Sequence, residues 1–144
     1  LPLIKSKTKK KLKEMFDKGE IDERYYYKQN AYMYKDLKKA IVSKNTVYQW
    51  RRVYVRENKS GECPTLTANM GTGGHNVPLI KDDLGIRKLT PRECLNFQGF
   101  PKSFKFPDDM PISQRYKQAG NAVTVNLITK IAKIISTSIR WDHR

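Results

Sequence analysis

The spacing of apolar residues changes twice along the chain, and this change limits the folds available to it. Residues 5–41 and the region from Thr90 onward carry apolar side chains at helical intervals, whereas residues 47–89 form short strand-like runs broken by Gly, Asn and Ser. The length of 144 residues is that of one domain, or a piece of one. We therefore predict an α+β fold: a small irregular mixed lobe with short β-strands and peripheral helices.

The strand-like region contains three predicted strands, at residues 50–56, 65–68 and 77–80. Between the last two lies Met70–Asn76, whose glycines permit positive φ and a close approach of the backbone to a ligand. This segment lacks the Lys-Ser/Thr of a nucleotide-phosphate loop. It is either a loop that lies against DNA or a plain connection.

Helix signals flank the strands on both sides. Residues 5–41 predict two short helices, and Thr90 begins a third as an N-cap, followed by Pro91 at the first helical position and Glu93 at the capping-box position. After an irregular proline-rich stretch, a long amphipathic helix is predicted from about Val123 to Ile139. Its apolar stripe, which requires a partner surface, consists of Val123, Leu127, Ile131, Ile134 and Ile135.

The net charge of the chain indicates the class of partner that it binds. The chain has 29 Lys+Arg against 14 Asp+Glu, a formal net charge of +15, which is typical of a phosphate-binding surface. Lys9–Lys11 is interpreted as a solvated helix face rather than a DNA contact, and Tyr25–Tyr27 as packing rather than base stacking. No run of about 18 apolar residues occurs, so we expect no membrane span.

Cysteine and histidine are too scarce for a metal site or a disulfide framework. The two cysteines, Cys63 and Cys94, lie far apart, and the only histidines are His75 and His143. We therefore expect no metal, and we interpret Cys94 as a small buried hydrophobe.

Two strings carry a family resemblance. Arg87–Cys94, continuing to Gln98–Pro101, resembles the ninth conserved motif of cytosine-5 DNA methyltransferases, and Tyr116–Asn126 resembles the tenth. Upstream, Arg52–Tyr54 and Pro64–Ala68 resemble the target-recognition region of that family. The resemblance implies two parts: a target-recognition lobe with the ninth motif over residues 1–119, and the tenth motif with the C-terminal helix over residues 120–144.

Several signatures of a complete enzyme of this family do not occur. There is no glycine-rich cofactor loop, no Pro-Cys nucleophile and no Glu-Asn-Val segment; Cys63-Pro64 has the reverse order, and Lys59 follows Glu57-Asn58. We therefore assign no catalytic residue to this chain. The final helix is expected to belong with a missing α/β catalytic domain, and the chain is expected to be inactive alone.

The resemblance also implies binding residues. Asn121, Ala122 and Val123 would lie against S-adenosylmethionine, which the missing lobe would mainly bind. Asn121 could equally cap the final helix. Arg52 would contact bases, unless it pairs with Glu57 or Glu62. The full set of implied DNA-binding residues is Arg52, Thr65, Leu66, Thr67, Gly71, Gly73, Gly74, Arg87 and Lys88. Arg92 and Glu93 are expected to form an internal ion pair or cap instead.

The implied function is recognition of double-stranded DNA for a methyltransferase that modifies a flipped cytosine, in the usual setting of a restriction-modification system. The expected partners are DNA and a catalytic lobe or subunit, with a homodimer through the C-terminal helix as another way to cover the stripe. The resemblance implies a bacterial-type cytoplasmic, nucleoid-associated protein. The alternatives are a standalone DNA-binding module and a small RNA-binding protein.

Overall fold

The computed structural model describes residues 12–51, 53–59, 61–72 and 76–139. Its α-helices are α1 (Tyr34–Ala40), α2 (Pro91–Phe97), α3 (Ile112–Asn121) and α4 (Val125–Ser138), and its strands are β1 (Val47–Arg51), β2 (Tyr54–Asn58), β3 (Leu79–Lys81) and β4 (Ile86–Lys88). Short 3-10 helices lie at Leu12–Glu14, Glu23–Tyr25 and Ala68–Thr72. The predicted α+β class is confirmed.

The four strands form one antiparallel sheet in the order β2-β1-β3-β4. The first hairpin turns between Arg51 and Tyr54, and the second is closed by Asp82, whose Oδ1 accepts hydrogen bonds from the backbone N–H groups of Leu84 and Gly85. Gly85 has φ +155°, a conformation that L side chains rarely adopt. Turn chemistry therefore fixes the β3–β4 hairpin.

The sheet separates two hydrophobic clusters, because neighbouring residues of a strand point to opposite faces. Val47 of β1 and Ile80 of β3 face one cluster, and Tyr48 and Leu79 face the other. The helix-side core is Val47, Leu66, Met70, Val77, Ile80, Leu89, Cys94, Leu95, Tyr116 and Ala119. The α1-side core is Met33, Leu37, Ile41, Tyr48, Trp50, Leu79 and Ile86.

Several predicted elements differ from the structure. The run 50–56 belongs to two strands of a hairpin, and the predicted strand 65–68 is wrong, since this segment leads without strand pairing into the 3-10 helix Ala68–Thr72. Where the sequence predicts two short helices in residues 5–41, the described part from Leu12 onward has the two 3-10 helices Leu12–Glu14 and Glu23–Tyr25 and the helix α1. Helix α3 was not predicted, because the prolines up to Pro111 indicated irregular structure; Pro111 is in fact its N-cap residue.

Helix α2 begins as the sequence predicts. The Glu93 N–H donates to the Thr90 hydroxyl at 3.1 Å, and the Glu93 carboxylate accepts from the Thr90 N–H at 2.8 Å. This reciprocal pair is the capping box, with Pro91 in the first turn. The helix start is thus determined by the local sequence.

The Glu93 carboxylate also forms the central ion pair of the fold. It is fully buried, and it accepts from Arg87 through Nη1 at 2.7 Å and Nη2 at 2.8 Å, while Arg87 Nε donates to Asp82 at 2.8 Å. Of the ion pair or cap predicted for Arg92 and Glu93, the Glu93 cap is confirmed, whereas the ion pair of Glu93 is with Arg87 and not with Arg92. The Arg92 guanidinium instead donates to the Asn96 side chain and to carbonyls of the following loop, including that of Phe104.

Replacing Glu93 with Gln should lower the free energy of unfolding by about 3–5 kcal/mol, because it leaves a charged guanidinium buried against a neutral amide. Urea denaturation monitored by circular dichroism measures this. Glu23→Gln is the matched control, since the Glu23 side chain is 80% exposed and pairs with the exposed Lys28. Equal stability of the two variants would contradict the role given to Glu93.

The tyrosine cluster is used in packing. The Tyr26 hydroxyl donates to Asp82 Oδ2 at 2.8 Å, and Tyr27 packs against the α1-side core. Burial raises the pKa of Tyr27 to about 12. The Lys88 ammonium lies 5.5 Å from the centre of the Tyr27 ring.

This burial makes stability sensitive to alkali. A tyrosine whose pKa is higher in the folded state stabilises the fold fully below its ordinary pKa of 10, and that contribution is lost as the pH rises from 10 toward 12. We expect Tyr27→Phe to flatten the fall in unfolding free energy between pH 10 and 12. Urea titrations at each pH measure it. Tyr32→Phe, at a side chain 83% exposed, is the control and should keep the wild-type profile.

Within the described ranges, no helix is long and apolar enough to cross a membrane.

Candidate nucleic-acid interface

The segment Pro64–Ala68, which resembles part of a target-recognition region and is called the recognition segment below, lies on the surface of the helix-side core. Leu66 is 9% exposed and belongs to that core, whereas Thr65 and Thr67 on either side of it are exposed. Leu66 therefore anchors the segment, and its side chain is directed away from any ligand. The two threonines remain available to a ligand.

Thr65 and Thr67 line an open cleft of about 590 Å³ beside the β1–β2 hairpin. The hairpin contributes Gln49, Arg51 and Arg56 to the lining of this cleft. These three residues share the sheet face of Val47, with Gln49 and Arg56 paired in the middle of the hairpin and Arg51 at its turn end. The remaining lining residues are Asn58, Glu62, Cys63, Pro64, Asn69 and Asn76. The cleft is polar and carries two arginines, which suits it to a polyanion.

The other predicted DNA-binding residues that the structure describes do not line this cleft. Arg52, Gly73 and Gly74 lie outside the described residues. Arg87 is only 2% exposed, and its guanidinium is occupied by Glu93 and Asp82, so we no longer assign it a phosphate contact. Lys88 is half-buried, and burial lowers its pKa.

Two glycines hold the recognition segment against α3. A Cβ at Gly120 would lie 2.1 Å from the Thr67 carbonyl oxygen, and one at Gly71 would lie 2.4 Å from the Ser113 carbonyl oxygen. Real Cβ atoms essentially never approach other atoms this closely. Gly71 thus has a packing role that the sequence did not indicate. The 3-10 helix Ala68–Thr72 and α3 can touch only because the residue at each contact is a glycine, which has no side chain.

Asn121, Ala122 and Val123 lie in the bend between α3 and α4. Asn121 is the exposed last residue of α3, and α4 has Thr124 as its N-cap residue, so the prediction that Asn121 caps the final helix is wrong. The bend leaves the Asn121 side chain and the backbone around Ala122 at the surface of the lobe.

Gln98 fixes this bend, and sequence analysis did not identify it. Its Nε2 donates to the Ala122 carbonyl at 3.1 Å, and its Oε1 accepts from the Thr124 hydroxyl at 2.8 Å. Its backbone carbonyl accepts from the Val125 N–H at 2.8 Å. Gln98 is 9% exposed, and a buried amide must be paired, so the side chain holds the bend in one conformation. The signal available in the sequence was a glutamine placed directly after the helix that Thr90 caps.

Helix α4 leaves its apolar face exposed. None of its residues is buried, and it contacts the lobe mainly at its beginning. The exposed fraction of the apolar residues on this face and next to it ranges from 37% at Ile131 to 59% at Val123. The exposed members are Val123, Leu127, Ile128, Ile131, Ile135 and Ile139. An apolar patch of this kind marks a surface that another structure covers.

Neither thiol has the surroundings of a nucleophile. Cys94 is fully buried in the helix-side core, and burial raises its pKa. Burial likewise raises the pKa of Cys63 to about 12, so both remain thiols at neutral pH. The described part of the chain holds no group of His, Cys, Asp and Glu that could bind a metal ion.

Comparison with known proteins decides the family. Residues 1–137 match the model of the C-5 cytosine-specific DNA methylase family. The chain belongs to this family. It is 55% identical over 130 residues to the type II methyltransferase M.Bsp6I of Bacillus sp. (strain RFL6), covering 89% of this chain and 41% of that protein.

A second relative and one solved structure are also similar to the chain. The type II methyltransferase M.MspI of Moraxella sp. is 34% identical over 120 residues, covering 78% of this chain and 24% of that protein. The fold is shared with the Entamoeba histolytica methyltransferase EhMeth, with a TM-score of 0.61 at 15% identity over 92% of this chain and 42% of that one. The chain thus spans less than half the length of these relatives.

In this C-5 methylase chain, Gly120→Ala should lower the free energy of unfolding by about 1–3 kcal/mol, because the added Cβ drives α3 away from the Thr67 carbonyl. Urea denaturation measures the loss. Gly19→Ala is the matched control, since a Cβ there would meet nothing within 4 Å. If Gly120→Ala were as stable as Gly19→Ala, the close packing of α3 on the recognition segment would be refuted.

Proposed function

We propose that this chain is the DNA-recognition part of a DNA (cytosine-5-)-methyltransferase. Residues 1–119 form its target-recognition lobe with the ninth motif, and residues 120–144 form the tenth motif and the helix that returns to the catalytic lobe. The enzyme transfers a methyl group to C5 of a flipped cytosine in a specific duplex sequence. The type II names of the relatives support a place in restriction-modification, and hence a bacterial-type protein bound to nucleoid DNA.

The contact of Gly120 with the Thr67 backbone carries this proposal. It joins the segment that resembles a recognition strand to the bend that resembles a cofactor motif, although the two are more than 50 residues apart in the chain. This contact therefore holds the Thr65–Thr67 segment next to the 121–123 bend. A lobe that grips the duplex must be held at a fixed position relative to the methyl donor, since small misplacements of reactants are costly.

The lobe's part of the chemistry is grip and positioning. A cytosine in the duplex cannot be reached by a nucleophile, so it must be flipped out, at a cost of a few kcal/mol. Thr65 and Thr67 offer hydroxyl donors to the backbone beside the flipped nucleotide, and Arg51 and Arg56 offer positive charge across the cleft. Contacts of this kind hold the opened duplex while the base is out.

S-adenosylmethionine would supply the electrophilic methyl group. The exposed Asn121 amide offers both a donor and an acceptor, and exposed backbone follows it at the start of α4, so the bend fits the polar end of an amino-acid-containing ligand. Asn121, Ala122 and Val123 would hold that end from one side. Gln98 would keep them in position without touching the ligand.

The exposed face of α4 is the surface for the catalytic lobe. A separately supplied lobe or subunit would cover Leu127, Ile131 and their neighbours, and a homodimer through the same helix is the other arrangement. In either case the chain alone is inactive, because burial raises the pKa of both thiols and Cys94 is fully enclosed in the core.

The test is methyl transfer from labelled S-adenosylmethionine to mixed-sequence duplex DNA. We expect no transfer by the chain alone and transfer when a separately supplied catalytic lobe from the same source is added. Ile131→Asp should abolish the gain, since it places a charge on the docking face; Thr129→Asp, on the opposite side of α4, is the control. Methyl transfer by the chain alone would contradict the proposal that this chain contains no catalytic residue.

A standalone DNA-binding module is the second candidate, favoured by the polar cleft that the chain forms without any partner. It predicts duplex binding that the catalytic lobe never converts into methyl transfer. Preference for single-stranded RNA over duplex DNA would favour an RNA-binding protein instead.

A further inference from the structure

The arginines divide into two groups according to whether the fold uses them. Of the six that the structure describes, four have guanidiniums bonded inside the lobe: Arg24 to Asp22, Arg87 to Glu93 and Asp82, and Arg92 and Arg115 to neighbouring oxygen atoms. The other two, Arg51 and Arg56, form no hydrogen bond or ion pair through their guanidiniums to any described residue. Both line the cleft that contains Thr65 and Thr67.

Arg56 is the better placed of the two to contact a base. It lies in the middle of β2, directly opposite Gln49 of β1, whereas Arg51 stands at the hairpin end. A residue with paired neighbours on both sides is held more firmly than Arg51, which is the last paired residue of β1 before the turn. The backbone of Arg56 is thus held by the ladder while its guanidinium stays exposed in the cleft.

We infer that Arg56 is a specificity-determining residue that recognises a guanine in the target sequence, with Gln49 beside it on the same wall. The planar guanidinium matches the O6 and N7 acceptors of guanine in the major groove, and this is the commonest specific protein-DNA contact. A cross-strand neighbour that carries an amide supplies a second donor and acceptor one strand away. This inference rests on the proposed function, since it names the base that the recognition lobe reads.

The experiment is a selection of duplex DNA from a random-sequence library by the 144-residue chain, followed by affinity measurements on the selected duplex. We expect the unsubstituted chain to select a sequence containing at least one fixed guanine. Arg56→Ala should lose the preference at that position, by about 5- to 150-fold between guanine and the other bases. Arg56→Lys should lose it as well, because an ammonium keeps the charge without the bidentate geometry.

Lys59→Ala is the matched control, since it removes one positive charge beyond the end of β2 and outside the cleft. It should weaken binding to all sequences alike and leave the preference for guanine intact. If Arg56→Ala and Arg56→Lys kept that preference, Arg56 would not recognise the guanine and the proposed function would stand. If the unsubstituted chain selected no duplex sequence, the proposed recognition role itself would fail, and this inference with it.

Discussion

The buried carboxylate of Glu93 is the constraint on which the rest of the lobe depends. Its two oxygens accept from the Arg87 guanidinium and from the backbone N–H groups of Thr90 and Asp17, so one side chain ties β4, α2 and the N-terminal segment together. A charge in such a position is tolerated only when it is paired and fully hydrogen-bonded. Because α2 is fixed by this pair, Gln98 at its end is also fixed, and with it the bend that leads into α4.

Close backbone contact is the second organising feature. Gly71 and Gly120 let the 3-10 helix and α3 meet without intervening side chains, and this contact places the Thr65–Thr67 segment beside the 121–123 bend. Tyr116 strengthens the arrangement, since its hydroxyl donates to the Leu89 carbonyl at 2.6 Å inside the helix-side core. The two surfaces of the proposed function thus lie next to each other in the fold.

Net charge indicates nucleic acid as a class of partner but not the place on the surface where it would bind. A surplus of fifteen positive charges favours nucleic acid wherever the charges lie. The fold then takes Arg87 into its interior and engages Arg92 and Arg115 with carbonyl oxygens, which removes them from the surface that a phosphate would meet. Arg87 was predicted to bind phosphate because a sequence does not show which charges have an internal partner. Arg51 and Arg56 were not predicted because strand pairing alone brings them to the cleft.

The sequence by itself determined what depends on neighbours in the chain: the capping box at Thr90, the apolar face of α4, and the α+β class, which follows from apolar spacing. The motif strings likewise indicated the family that the comparison shows. The tertiary structure alone decided that Glu93 pairs with Arg87, that Gln98 fixes the bend and that Thr65–Ala68 forms no strand. The reason is that hydrogen bonds and close contacts between distant segments depend on three-dimensional distance, whereas helical periods and caps depend on positions a few residues apart.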